Sequence, residues 1–220
     1  LELTDGAERA GADALLVVTP YYVRPPQSGL VEYFTAVGGR TGLPLLVYNI
    51  PGRTGVAIGV DALVRIAERV PGLVGVKHAA PDLDFVTEVL RSLGTEFRVF
   101  CGLEALSLPM LAVGARGVMN AVANLVPERV AELCDAASRG DLAQARRLHG
   151  ELFELSGAIF FDTNPIPLKW MMQRLGLIAR ADVRLPLVAA SADVQARCEG
   201  VLGRAGLLAE AAGVAAAERR

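Results

Sequence analysis

Leu73-Val-Gly-Val-Lys77-His-Ala-Ala80 decides how the rest of the chain is read. It is a short apolar run ending in a cation, the pattern of a buried strand with a functional group at its C-terminal end. The chain of 220 residues carries 22 Lys and Arg together, yet only Lys77 and Lys169 are lysines, so nearly every surface cation is arginine. Arginine stays protonated, whereas a desolvated lysine can release its proton and attack a carbonyl as a free amine. On a strand, Gly75 and Lys77 share one face and Val74 and Val76 the other, which predicts that Gly75 leaves room beside the amine. The plain structural reading of the same lysine is a packed stem whose ammonium reaches water or a carboxylate.

The pattern of strand then helix repeats on both sides of this stretch. Residues 1–10 have helical polarity and end at Gly11, a capping residue type. Strands are predicted over 14–19, 44–50, 97–101 and 117–121, and helices over 28–40, 60–69, 82–93, 105–113 and 127–138. Five strand-then-helix units with short connections and continuous apolar strands predict an α/β fold with a parallel sheet covered by helices. After Gly140 the strands stop: helices over 142–159, 164–175 and 191–202 predict a C-terminal helical domain, with 209–220 a helical or frayed tail. The division expected is therefore 1–138 and 139–220. Asn164-Pro-Ile-Pro reads as an N-cap followed by a proline at the first helical position, and Lys169 as an ordinary residue of that helix.

An open doubly wound sheet and a (β/α)8 TIM barrel both accommodate this alternation. No GxGxxG or GxxxxGK[ST] loop follows any strand, which weighs against nucleotide binding. The special residues sit instead after strand ends: Tyr22, then Tyr48 and Arg53, then Lys77. That rim is where (β/α)8 barrels build active sites. Without further context Arg53 caps a helix or pairs with Asp61, and the tyrosines are sheet or loop aromatics.

Composition narrows the function classes. Hydrophobic residues make up 52 % and the net charge is −2, so no basic field invites nucleic acid or an anionic membrane. The longest weakly charged span, 99–127, is broken by Glu104, Pro109, Gly114, Arg116 and Gly117 and does not read as a membrane helix. Cys101, Cys134 and Cys198 are odd in number and widely spaced, which predicts reduced thiols and a cytoplasmic setting. No His, Cys or carboxylate cluster has metal-ligand spacing, so neither metal nor cofactor is expected. The chain begins at Leu1 within what reads as a helix, and a missing N-terminal segment is expected.

Thr19-Pro-Tyr-Tyr22, Tyr48-Asn-Ile-Pro-Gly-Arg53-Thr-Gly55, Gly75-Val-Lys77 and Asn164-Pro-Ile-Pro-Leu-Lys-Trp170 together resemble the dihydrodipicolinate synthase / N-acetylneuraminate lyase family of Schiff-base aldolases, in family order and at similar spacing. The resemblance implies a (β/α)8 barrel, of which this chain covers about the last five units, followed by a helical domain. It implies that Lys77 forms a Schiff base with pyruvate, whose enamine attacks an aldehyde; in the synthases this is aspartate 4-semialdehyde, in lysine and diaminopimelate biosynthesis. Tyr48 then matches the proton-shuttling tyrosine, and Tyr22 the tyrosine lent across a dimer interface. Arg53 matches the arginine that grips the semialdehyde carboxylate, and Gly102, Gly117 and Met119 match positions lining the pyruvate pocket. A homotetramer, a dimer of dimers, is implied as well.

Three departures from the family pattern stand out. The family's opening strands and their Gly-Thr-Thr-Gly-Glu motif have no counterpart. His78 stands where synthases often carry an acidic residue, and its position on the strand predicts a packed, hydrogen-bonded histidine. Gly102-Leu-Glu104 replaces a Gly-Asp-Asp stretch. Another pyruvate-dependent aldolase, a 2-oxo-sugar-acid dehydratase, or a truncated non-catalytic chain are the alternatives these departures leave.

Overall fold

A computed structural model describes residues 1–208; the predicted tail at 209–220 lies outside them. The described chain forms two compact units, one spanning Leu1–Met119 and one from Asn120 onward.

In the first unit α1 (Glu2–Arg9) leads to β1 (Leu15–Val18), α2 (Gln27–Gly38), β2 (Leu45–Asn49), α3 (Pro51–Thr54) and α4 (Val60–Arg69). There follow β3 (Leu73–His78), α5 (Leu83–Leu93), β4 (Arg98–Cys101), α6 (Ser107–Ala112) and β5 (Gly117–Val118). The strands lie in the order β1-β2-β3-β4-β5, every pair parallel. Crossovers that always step to the next strand, with the usual right hand, put every helix on the same face. The core agrees: Leu15, Leu45, Val47, Leu73, Val76, Val99 and Cys101 come from one face of the sheet and pack with Leu30 and Phe34 of α2, Leu63 and Ile66 of α4, and Phe85 and Val89 of α5. A doubly wound sheet would reverse its order and carry helices on both faces. The arrangement is a partial (β/α)8 barrel, with Leu46, Tyr48, Lys77 and Phe100 on the face turned away from the helices.

Local chemistry explains where the elements differ from expectation. α3 falls in a stretch to which the sequence pattern assigns no element, because four residues show no periodicity; Pro51 opens it and Gly55, at φ 75°, closes it in the left-handed conformation that glycine adopts most easily. α2 ends at Gly38, ahead of the predicted Arg40. The fifth strand is only Gly117–Val118, although Met119 N–H still donates to Cys101 O at 2.8 Å and prolongs the ladder. Between β2 and β3 the register skips Val74, pairing Leu45 with Leu73 but Leu46 with Gly75.

The second unit holds α7 (Pro127–Ser138), α8 (Leu142–Ala158), α9 (Ile166–Arg174) and α10 (Ala192–Arg204). Asp141 caps α8 by accepting from Gln144 N–H at 3.0 Å, and Ser191 caps α10 by accepting from Val194 N–H at 3.3 Å. The N-cap of α9 is Pro165, whose carbonyl accepts from Lys169 N–H at 2.9 Å, not the predicted Asn164; the Asn164–Pro165 peptide is cis. Ion pairs Arg174–Glu199 at 2.7 Å and Arg204–Glu154 at 3.0 Å tie α10 to α9 and α8. Lys169 donates to the main-chain oxygen of Asp182 and is occupied locally.

Gly75 tests the packing of the sheet. A Cβ there would stand 2.3 Å from Arg98 O, a main-chain atom of the neighbouring strand. Gly75→Ala is expected to lower the unfolding free energy by ~1–3 kcal/mol in urea titration, whereas Gly150→Ala on α8, where a Cβ meets nothing within 4 Å, leaves it unchanged or raises it.

Candidate active site

Parallel pairing of β2 with β3 sets Tyr48 opposite Lys77 and, one residue on, Asn49 opposite His78. Successive residues of a strand point to opposite faces, so one register fixes two pairs. On the open face Lys77 Nζ stands 4.1 Å from the centroid of the Tyr48 ring. Both side chains are half-buried. The Tyr48 ring therefore flanks the amine on this face.

Gly102, just past β4, completes the space. A Cβ at this position would lie 3.0 Å from Lys77 Cε and 2.9 Å from Ala79 Cβ, so the lysine stem passes where a side chain would be. This corrects the expectation for Gly75, whose missing side chain accommodates the Arg98 main chain instead. Gly117 pairs with Phe100, and Met119 follows at the end of β5. Glu104 is buried, 6 % exposed, in the turn after β4, with Ser107 Oγ donating to its main-chain oxygen at 2.9 Å.

Arg53 rides on α3, exposed above the end of β2. Its neighbour Thr54 anchors that turn: the buried Thr54 hydroxyl lies 2.9 Å from Val56 O and accepts from Thr19 Oγ at 3.2 Å, linking α3 to the end of β1. Tyr22 sits on the loop after β1 at φ 72° and is 92 % exposed. On the same loop the exposed Arg24 side chain lies over Gly55; a Cβ on Gly55 would meet Arg24 Nε at 2.8 Å. The structure thus gathers Lys77, Tyr48 and Gly102, raises Arg53 beside the same strand ends, and leaves Tyr22 in solvent.

Behind the sheet His78 and Asn49 are each 1 % exposed. Asn49 Nδ2 and His78 Nδ1 are 3.1 Å apart, and Asn49 Oδ1 accepts from Ile58 N–H at 3.3 Å. With its oxygen engaged by a donor, the amide presents its NH2 to the imidazole, which makes Nδ1 the acceptor and Nε2 the protonated nitrogen. The imidazole stacks on Phe85 with ring centroids 4.2 Å apart. Burial holds its pKa below histidine's ordinary 6.5, against the opposing pull of Asp82. Composition and periodicity carry no sign of Asn49, Thr19 or Thr54 as structural ties; a polar residue at the end of an apolar strand is the available signal.

No helix among the described residues is long and apolar enough to cross a membrane, and among them no group of His, Cys, Asp and Glu is placed to hold a metal ion. A groove of about 730 Å³ lies elsewhere, inside the second unit between Trp170, Arg180 and Leu185. Its amides are engaged by its own loop, Gln195 donating to Ala190 O at 2.8 Å and Gln173 to Ala179 O at 3.3 Å.

A helix-wrapped parallel sheet that carries its polar side chains at the C-terminal strand ends has the layout of a (β/α)8-barrel enzyme. Sequence comparison carries this further: the profile of the dihydrodipicolinate synthetase family matches residues 1–205, and the chain belongs to that family. It is 45 % identical over 209 residues to a 4-hydroxy-tetrahydrodipicolinate synthase of Thermus thermophilus, covering 94 % of this chain and 70 % of that protein. Among solved structures, dihydrodipicolinate synthase from Aquifex aeolicus superposes with a TM-score of 0.91 at 39 % identity, covering 94 % of this chain and 70 % of that one. The chloride-inhibited dihydrodipicolinate synthase of Acinetobacter baumannii complexed with pyruvate superposes with a TM-score of 0.89 at 36 % identity, again over 94 % and 70 %.

Acid sensitivity follows from the buried imidazole. A histidine whose pKa is lowered on folding binds fewer protons folded than unfolded, so stability is full above about pH 6.5 and falls as pH drops below it, until the folded value is passed. His149 is shifted in the same direction by burial. Urea midpoints taken between neutral and mildly acidic pH should therefore fall in the parent, and fall less in His78→Asn and in His149→Gln.

Proposed function

We propose that this chain is a Schiff-base lyase that condenses pyruvate with aspartate 4-semialdehyde, giving 4-hydroxy-tetrahydrodipicolinate for lysine and diaminopimelate biosynthesis. The observation that carries the proposal is the Lys77 amine 4.1 Å from the Tyr48 ring at adjoining strand ends, in a chain of this family. Family membership and the naming of the relatives support the reaction; the geometry supports the assignment of roles.

In the proposed sequence Lys77 Nζ, as free amine, attacks C2 of pyruvate and water leaves, forming an imine. Loss of a proton from C3 gives the enamine, whose C3 bonds to the aldehyde carbon while the new alkoxide takes up a proton. The amine of the second substrate then attacks the imine carbon and displaces Lys77, closing the ring; the net change is one water released. Tyr48 is the proton carrier, being the phenol that flanks the amine. Arg53 grips the semialdehyde carboxylate from α3, as a guanidinium fork does best. Gly102 leaves the space the lysine stem and pyruvate need, and Gly117 and Met119 offer main chain to the pyruvate pocket. No metal enters these steps.

Tyr22 is proposed to act in a second copy of the chain, as a member of a dimer within a homotetramer. Its 92 % exposure on the loop after β1 supports a side chain available to a neighbour. We read 1–138 as the barrel portion, since α7 is the last helix to follow a strand, and 139–220 as the helical domain and tail, of which 209–220 lie outside the described residues. A cytoplasmic setting is supported by the three cysteines, Cys101, Cys134 and Cys198, which stand as reduced thiols.

Borohydride reduction in the presence of pyruvate, followed by peptide mass spectrometry, tests the proposal. A pyruvate adduct on Lys77 and none on Lys169 is expected, and it should vanish in Lys77→Arg. A folded chain without an adduct would refute the chemistry. Tyr48→Phe should still trap pyruvate but turn over roughly 10²–10⁴-fold more slowly. Arg53→Met should raise the KM for the semialdehyde and leave that for pyruvate nearly unchanged. Turnover of a different aldehyde in preference would favour another aldolase of the family, a reading to which Gly102-Leu-Glu104 points.

A further inference from the structure

We infer that Asn49 and His78 form a positioning pair that sets how the Lys77 amine meets the Tyr48 ring. The inference rests on the function proposed for Lys77. It begins with the irregularity in the sheet: because the β2–β3 register skips Val74, the starts of the two strands do not by themselves dictate how their ends align. A slip of one residue would turn either Tyr48 or Lys77 to the other face. Something past the irregularity has to hold the ends.

The Asn49–His78 contact stands where that hold is needed. It joins the two residues that immediately follow Tyr48 and Lys77, is buried on the opposite face, and spans the same two strands. Its polarity is directional. Asn49 Oδ1 is held by Ile58 N–H, so only the NH2 can face His78, and only a side chain with an acceptor at the Nδ1 position answers it. Stacking on Phe85 fixes the plane of the imidazole. On either side the main chain continues the lock, Ala79 N–H to Asn49 O at 2.8 Å and Gly102 N–H to His78 O at 2.8 Å. The second of these places Gly102, the residue that makes room for the lysine stem.

One amide therefore ties three parts of the site together: the strand of Tyr48, the strand of Lys77, and, through Ile58, the connection that carries Arg53. Neither Asn49 nor His78 reaches the open face, so both are positioning residues. A neutral histidine serves as well as any acceptor of the right reach, and its role is separable from that of the ring.

The test compares single-turnover trapping of pyruvate by borohydride in the parent, His78→Leu, His78→Asn and Asn49→Ser, with urea midpoints measured alongside. His78→Leu removes the acceptor; His78→Asn returns an oxygen close to the Nδ1 position; Asn49→Ser withdraws the amide without adding bulk and serves if the leucine variant does not fold. Expected is a fall of ~10–100-fold in the trapping rate of folded His78→Leu and Asn49→Ser at saturating pyruvate, with KM little changed and most of the rate restored in His78→Asn. Parental rates in folded His78→Leu or Asn49→Ser, or a His78→Asn rate as low as that of leucine, would overturn the inference while leaving the lysine chemistry intact. A parent chain that is folded but traps no pyruvate would overturn the proposed function and the pair with it.

Discussion

The parallel pairing of β2 with β3 is the constraint on which the site depends. Register in a sheet is a two-sided commitment, since each residue placed on one face obliges its neighbour to take the other. Here that commitment puts a phenol against an amine on the open face and an amide against an imidazole behind it. The amine and phenol in front and the polar contact behind stand on the same hydrogen-bond ladder, at its C-terminal end.

The core provides the footing for this arrangement. Because every crossover steps to the adjacent strand, helices α2, α4 and α5 press on one side of the sheet, and the strand residues facing them are aliphatic or thiol until the strands run out. Only at the C-terminal ends do polar groups enter the buried layer: Thr19, Asn49 and His78, each 1 % exposed or less. Each meets a partner from another element at the rim, Thr54, Ile58 and Asn49 respectively. Buried polar groups are tolerated when such partners exist. The rim thus consists of short polar ties holding loops above a base whose strand residues are apolar.

Much of this was legible in the sequence. Continuous apolar strands with a lone lysine, a tyrosine and an arginine at their ends were enough for the parallel sheet, the helix-wrapped face and the rim. What was not legible depended on neighbours that spacing cannot name. Gly75 and Lys77 do lie on one face, but a glycine's role is set by the adjacent strand, and the Arg98 main chain occupies the space that Gly75 was expected to leave for the amine. Gly102, remote in sequence, has that role. α3 is too short for a period, and the skipped Val74 leaves no mark in composition. For Tyr22 the signal in the sequence was a motif, and the exposed loop on which it stands supplies a position without a partner in the same chain's strands.

The central claim is that the Lys77 amine bonds pyruvate carbon. With only two lysines in the chain, nuclear magnetic resonance can observe that bond in solution. Protein labelled with 15N at the lysine side chains and mixed with pyruvate carrying 13C at C2 should give one imine carbon resonance split by the attached nitrogen, lost in Lys77→Arg and kept in Lys169→Arg. A folded protein showing only the ketone and hydrate signals of free pyruvate, or a coupling that survives the loss of Lys77, would contradict the account.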